Sequence, residues 1–135
     1  MFKLAFVTGF LILQLSSTSA IAAAQIDAGK SHALFSQAMA NLLGIKGQEK
    51  SSEIAFKKFE LPAQQGWKTA QHMLGNMYYK GEGTAQNTVM AYLWYSLAAK
   101  QDFSIAQEKV TYLRQHLEKK KIQEAEVLIA AWKVN

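Results

Sequence analysis

The stretch that decides the fold of this chain is KTAQHMLGNMYYKGEGTAQNTVMAYLWYSLAAK, residues 68–100. Within it, Ala70, Leu74 and Tyr78 recur at every fourth residue, which is typical of a helix with one apolar face. The stretch therefore predicts a helix over about 68–80, with this apolar stripe turned toward a partner helix.

A second helix is predicted after a short turn. Gly81 and Gly83 end the first helix, because glycine accepts the left-handed backbone that ends many helices. Asn87 stands where an N-cap side chain accepts from free backbone amides, so the second helix is predicted over about 88–100. Its apolar face holds small residues, which allow close helix approach, and aromatics, which fill the remaining space. These residues are Ala91, Trp94, Tyr95, Ala98 and Ala99.

The chain also contains a degenerate internal repeat with a period of 36 residues. Subtracting 36 from the numbers of Ala91, Leu97, Ala99 and Ala106 gives Ala55, Leu61, Ala63 and Ala70. The same subtraction places Gly83 on Gly47, and it places Tyr92, Tyr95 and Phe103 on Phe56, Phe59 and Trp67. Such self-similarity indicates stacked copies of one supersecondary unit.

Helices are predicted on both sides of the clear copy, over about 31–45, 51–65, 104–118 and 122–132. Pro62 should kink or end the second of these, because proline removes one backbone hydrogen bond. The inward stripe of the last helix is predicted as Ile122, Ala125, Leu128, Ile129 and Trp132. No run alternates with period 2, so the fold class is all-α, with about three antiparallel helix pairs.

The first 24 residues have the pattern of a secretory signal peptide. Lys3 precedes an apolar run over 4–15, and a segment of small residues follows it. We expect cleavage after Ala22-Ala23-Ala24, before Gln25, with Ala20-Ile21-Ala22 as the alternative site. An uncleaved membrane anchor is the other interpretation, but the run is shorter than the roughly 20 residues of a spanning helix. We therefore expect no stable membrane insertion after cleavage.

The composition excludes several classes of protein. The chain has 135 residues and no cysteine, which rules out disulfides, thiol catalysis and cysteine-ligated zinc. The formal net charge is +5, with basic residues at Lys109, Arg114 and 119–121. The basic run is short and export separates the protein from nucleic acid, so we expect no nucleic-acid partner and prefer a solvated helix end.

The residues of the clear copy resemble the signature of the Sel-one-like repeat (SLR) family, which is related to the tetratricopeptide solenoids. The matching positions are Ala70, Leu74, Gly75, Tyr78, Gly81, Gly83, Ala91, Trp94, Tyr95, Ala98 and Ala99. Three positions depart from the family: Thr84 replaces its valine, Asn87 its aspartate and Asp102 its glycine. Asparagine can still cap a helix, whereas Asp102 should weaken its turn and suggests that the final helix pair is a divergent cap.

The resemblance implies a right-handed α/α superhelix that serves as an adaptor, and it implies no particular ligand. The domain limits that follow are 1–24 for the signal peptide and 25–135 for the repeat domain. Within that domain we expect a degenerate repeat over 31–66, a clear repeat over 67–102 and a capping helix pair over 103–132.

Catalytic apparatus is not recognisable in the sequence, so we expect no enzyme, no cofactor and no metal site. His32, His72 and His116 lack a second ligand at metal-binding spacing, and Gly81-x-Gly83 lacks the third glycine and preceding strand of a phosphate loop. The aromatics Tyr78, Tyr92, Trp94, Tyr95 and Trp132 could stack on a carbohydrate, but their repeat positions favour core packing.

Helical geometry nominates a partner-binding face opposite the apolar stripe of the first helices. In the clear copy and in the following one, this face carries His72, Asn76, Tyr112 and His116. We expect His72, Tyr112 and His116 to form an exposed aromatic and polar patch, although an ordinary solvated face has the same pattern. Alanine at His72 and Tyr112 should then weaken partner binding without unfolding the protein.

The sequence thus favours a monomeric, non-catalytic scaffold in the bacterial cell envelope, periplasmic or secreted, that binds another exported or envelope protein. A secreted effector that engages host proteins is the alternative, since it would share the fold and differ in destination. An enzyme acting on cell wall or glycan is less favoured, because it needs an acid–base pair that the sequence does not show.

Overall fold

The computed structural model describes the backbone of residues 2–133 and the side chains of residues 20–25 and 27–133. By its internal contacts the chain divides into two units, Met1–Ala33 and Leu34–Asn135. The described part contains six helices and no strand: α1 (Phe2–Leu43), α2 (Ser52–Gln64), α3 (Lys68–Lys80), α4 (Thr88–Ala99), α5 (Ser104–His116) and α6 (Lys119–Ala131). The first unit is formed by α1 alone, and the second unit contains the end of α1 and all the other helices.

The expected all-α fold class is confirmed. The signal peptide expected over 1–24 falls mostly on side chains outside the described part, and it stays a prediction. Among the described residues, none of the helices combines the length and the apolarity that a bilayer crossing requires.

The ends of α3 and α4 form as their local sequence predicts. The bounds predicted for α3 are confirmed at both ends, and Gly81 follows it with φ +71° in the left-handed region. The side chain of Asn87 caps α4, since its Oδ1 accepts from the Met90 N–H at 3.1 Å. Ser51 caps α2 in the same way, accepting from the Ile54 N–H at 3.3 Å.

The 36-residue period is visible in the backbone as well as in the sequence. Gly47 and Gly83 both have positive φ, at +69° and +73°. Gly66 and Asp102, which are also 36 positions apart, have φ of +87° and +56°. Asp102 therefore holds the left-handed conformation in which a non-glycine residue costs about 1 kcal/mol. This is the physical basis for the weakened turn expected at Asp102.

In the second unit, α4 is the central element. It packs on α3, on α5 and on α6, while α2 packs on the other side of α3. Every residue of α4 from 91 to 98 is buried, including Tyr92, Trp94 and Tyr95. Core packing is thus confirmed for these three aromatics. Ala70 and Leu74 of α3 are buried as predicted, and Gly75 lets the ring of Tyr95 approach the α3 backbone.

Several predicted helix bounds and one predicted core residue are wrong. The first helix, predicted over about 31–45, is the last part of α1, which runs over Phe2–Leu43. The fifth helix ends at His116 instead of residue 118, and α6 begins at Lys119 instead of residue 122. Leu128 is 42 % exposed instead of turned inward, although Ala125 and Ile129 of the same stripe are buried. Periodicity placed Leu128 at the edge of the stripe, and α6 contacts too few neighbours to cover that edge.

The structure also refines two local expectations. Pro62 lies in the last turn of α2, so the helix ends two residues after the proline, at Gln64. The ring of Tyr78 packs edge-on against Phe56 of α2, with ring centroids 5.2 Å apart. The apolar face of α3 therefore packs against α2 as well as against its partner helix α4.

Candidate functional site

A groove of about 320 Å³ opens between α3 and α5, with α4 behind it. We call it the α3–α5 groove. One of its lining residues comes from α3, one from α4 and four from α5. They are Tyr79, Tyr95, Glu108, Lys109, Tyr112 and Leu113.

Tyr112 and His116, two members of the predicted face, are exposed on α5. Tyr112 is 48 % exposed and lines the groove. The His116 ring stacks on it, with centroids 4.1 Å apart and an angle of 22° between the planes. His116 Nδ1 donates to the Tyr112 carbonyl oxygen at 2.7 Å, which holds this stacked arrangement. The two rings therefore form a flat aromatic surface beside the groove.

His72, by contrast, is not exposed, and the expectation of an exposed patch is wrong at this position. Its ring lies 5.6 Å from that of Tyr95 and 5.4 Å from that of Phe103, between centroids. Helical periodicity placed His72 on the outer side of α3, but Phe103, in the turn before α5, covers it. Alanine at His72 should consequently remove core packing, so this substitution cannot report on binding alone.

Asn76 supports the groove from behind. Its Oδ1 accepts from the Tyr95 hydroxyl at 2.7 Å. Its Nδ2 lies 3.4 Å from His72 Nδ1, and since an amide nitrogen only donates, Nδ1 is the acceptor. The proton of His72 is then on Nε2, which is buried and has no hydrogen-bond partner among the described residues.

Two tyrosines of the groove, Tyr79 and Tyr95, have raised pKa values. Burial, followed by the neighbouring Tyr79, raises the pKa of Tyr95. A side-chain hydrogen bond with Tyr112 raises the pKa of Tyr79. Both phenol groups are therefore neutral at pH 7. Together with Leu113 they make the lining of the groove mainly apolar and aromatic, and Glu108 and Lys109 add one negative and one positive charge.

The half-buried His72 predicts that stability depends on pH. Burial, and then the charge of Lys109, lowers the pKa of His72 below its ordinary value of 6.5. The unfolded chain therefore binds the proton more readily than the folded one, and His72 contributes stability above pH 6.5 that is lost as the pH falls through the folded pKa. Protonation would also place a proton on the Nδ1 that accepts from Asn76.

The protein should accordingly melt at a lower temperature at about pH 5 than at about pH 7.5. The His72→Gln variant should show a smaller difference than the unchanged protein, and His116→Gln, at an exposed histidine, is the control. Thermal denaturation of the three proteins at both pH values checks this. An equal pH dependence in all three would contradict the role given to His72.

Sequence reasoning missed the residues that complete the groove. Tyr112 was nominated, but Tyr79 and Lys109 were not, and Tyr95 was assigned to the core alone. Tyr79 lies three residues after Asn76, a spacing that puts both on neighbouring positions of one helix face, and this spacing could have identified Tyr79.

Within the described residues, no group of three or more His, Asp or Glu side chains could hold a metal ion.

The architecture and the groove define an α/α helical-repeat protein whose accessible aromatic surface lies between successive first helices. The family profile of the Sel1 repeat matches residues 68–103, which include α3 and α4. The chain is a Sel1-like repeat protein with a helical-solenoid fold. Sel1 repeats mediate protein–protein interactions, and proteins of this family are typically non-catalytic.

Two solved structures are among those that are similar to this chain. The first is a protective antigen, present in uropathogenic Escherichia coli strains, that displays an SLR fold, with 31 % sequence identity and a TM-score of 0.71 over 77 % of this chain. The second is a Sel1 repeat protein from Oxalobacter formigenes, with 37 % identity and a TM-score of 0.59 over 62 % of this chain. The matches span 22 % and 34 % of those two proteins. No curated protein sequence matches the chain.

Proposed function

We propose that this protein is a non-catalytic scaffold of the bacterial cell envelope, and that it holds a segment of another exported protein in the α3–α5 groove. In this proposal the signal peptide occupies residues 1–24, and the domain over 25–135 acts as a monomer. The proposed partner contacts are Tyr112 and His116 directly, with His72 and Asn76 holding Tyr95 in place behind them.

The observation that carries this proposal is the exposed Tyr112 ring at the edge of a groove that already has two other tyrosines. Tyrosine supplies a large apolar area and a hydrogen-bonding hydroxyl at low entropic cost, and it is enriched at the energetic centres of interfaces. Its stacking with His116 reduces the freedom that would be lost on binding. The groove, of about 320 Å³, lies between α3 and α5 and is the proposed entry for the partner segment.

Two observations support an exported location. The N-terminal pattern of one lysine, an apolar run and small residues is that of a secretory signal. In addition, one similar structure is a protective antigen of uropathogenic Escherichia coli. The same likeness favours a secreted effector as the second candidate function. Fractionation separates the two, since a scaffold of the envelope stays in the periplasm and an effector accumulates in the medium.

The binding site can be tested with a photo-crosslinking amino acid placed at Tyr112 in living cells. We expect it to capture a discrete exported protein that the same probe at the exposed Lys120 on α6 does not capture. The captured protein, once purified, should bind Tyr112→Ala at least about tenfold more weakly than the unchanged protein, because an aromatic anchor is worth more than 1 kcal/mol.

Lys120→Ala is the matched control for this measurement, and its affinity should equal that of the unchanged protein. Equal affinity of Tyr112→Ala and Lys120→Ala for the captured protein, with unaltered circular dichroism, would eliminate the α3–α5 groove as the binding site.

A further inference from the structure

A second groove, on a different side of α5, has a chemical character of its own. It encloses about 280 Å³ between α4, α5 and α6, and we call it the α4–α6 groove. The lining residues that matter for its chemistry are Tyr92, Ser96, Lys100, Arg114, Glu126 and Ile129. Arg114 follows Tyr112 by two residues, which turns it about 200° around the helix axis. This groove is therefore separate from the α3–α5 groove.

One wall of the α4–α6 groove is a row of hydrogen-bond donors. Tyr92 and Ser96 of α4 and Lys100, the residue directly after α4, follow one another at intervals of four residues, so they lie on the same side of the helix. Ser96 is 8 % exposed, and its side chain lines the groove. A serine hydroxyl carries one donor, so Ser96 can donate to an acceptor that enters the groove.

The opposite wall contributes a guanidinium group that is already oriented. Arg114 donates to the Tyr92 hydroxyl oxygen from Nη2 at 2.8 Å and from Nε at 3.2 Å. Because that oxygen accepts from Arg114, the hydroxyl proton of Tyr92 remains to be donated. Arg114 Nη2 also lies 3.4 Å from Glu126 Oε1, a long and exposed ion pair. Such a pair holds the Arg114 side chain weakly, so the carboxylate of a ligand can replace that of Glu126.

The charges and hydrogen-bond donors that line the α4–α6 groove suit a ligand group that carries one negative charge and accepts hydrogen bonds. Lys100 and Arg114 carry two positive charges and Glu126 one negative charge, which leaves a net charge of +1. A carboxylate has a single charge and accepts hydrogen bonds without donating any, and two hydroxyls and two cations suit it. Ile129, at the end of the groove, offers an apolar surface for the methylene groups of an acidic side chain.

We propose that the α4–α6 groove binds the carboxylate of an acidic side chain on a partner protein, through Ser96, Lys100 and Arg114. Glu126 occupies Arg114 in the free protein and competes with the incoming carboxylate. This second site is independent of the α3–α5 groove, so it would allow the protein to contact one partner through two faces or two partners at once.

The proposal can be tested by NMR titration of the purified, isotope-labelled protein. The probes are N-acetylglutamate amide, its neutral analogue N-acetylglutamine amide, and inorganic phosphate. We expect the glutamate probe to cause saturable shifts at the amides of Ser96 and Lys100 and at Arg114 Nε, and the glutamine probe to cause none. Phosphate should bind more weakly than the glutamate probe.

Substitutions give the test its specificity. Ser96→Ala and Lys100→Gln should each lower the affinity for the glutamate probe about tenfold, since each removes one charge-assisted hydrogen bond. Glu126→Gln should raise the affinity for the glutamate probe about threefold, since the competing carboxylate is removed. Lys80→Gln is the matched control, because it changes the net charge as Lys100→Gln does but lies on α3, away from this groove.

Several results would overturn the proposal. These are the absence of saturable shifts, an equal response to the glutamine probe, an equal loss of affinity in Lys80→Gln, and tighter binding of phosphate than of glutamate. Tyr112→Ala should leave the titration unchanged, so the outcome here is distinguishable from the outcome of the crosslinking test. The fingerprint spectrum of each variant shows whether it has folded.

Discussion

Ala98→Glu should unfold the protein or lower its free energy of unfolding by about 4 kcal/mol or more. Ala98 lies on α4 and is a fully buried hydrophobic residue, 0 % exposed. A glutamate there brings a carboxylate into a site with no room for its side chain and no partner for its charge. Domains of this size have only about 5–15 kcal/mol of stability, so the loss should be visible directly in thermal denaturation followed by circular dichroism.

The control for this prediction is Lys120→Glu, which introduces the same side chain on the exposed face of α6. Its effect should stay within about 0.5 kcal/mol, as is usual for surface substitutions. Similar melting temperatures for the two glutamate variants would mean that α4 is not the buried centre of this domain.

Gly75→Ala is the second substitution with a large expected effect. A Cβ atom at Gly75 would lie 2.6 Å from Tyr95 Cδ1 and 2.7 Å from Cε1, far inside van der Waals contact. The ring cannot swing away, because Tyr95 is 1 % exposed and its hydroxyl is bonded to Asn76. Overpacking of this kind costs about 3 kcal/mol, of which the higher helix propensity of alanine returns about 1 kcal/mol.

We therefore expect Gly75→Ala to lower the free energy of unfolding by about 2 kcal/mol, which is roughly 10 °C in melting temperature. The matched control is Gly29→Ala in α1, where an added Cβ would have no atom within 4 Å. That change should leave the melting temperature unchanged or raise it. A melting temperature of Gly75→Ala equal to that of the control would show that α3 and α4 do not approach as closely as described.

Local features of the fold could be predicted because they depend on residues near one another in the chain. The bounds of α3, its end at Gly81 and the cap at Asn87 all follow from helical periodicity and from the backbone groups left free at helix ends. These interactions are complete within one turn of the chain, so sequence alone is sufficient for them.

The candidate sites could be predicted only in part. The angle around a helix shows which side of that helix a residue occupies, and it correctly placed Tyr112 and His116 on the surface. The same angle failed at His72 and at Leu128, because exposure depends on which other element covers the residue. Phe103 covers His72, and no described element covers Leu128 fully.

The sequence by itself therefore determined the all-α class, both ends of α3, the start of α4, the repeat and most of the buried face of α4. Only the tertiary structure brought Tyr79, Tyr95 and Tyr112 into one groove, and Tyr92, Ser96 and Arg114 into another. Each groove combines side chains from three helices, and their distances depend on how closely those helices pack. That packing is a property of all the buried side chains together, which no local pattern in the chain contains.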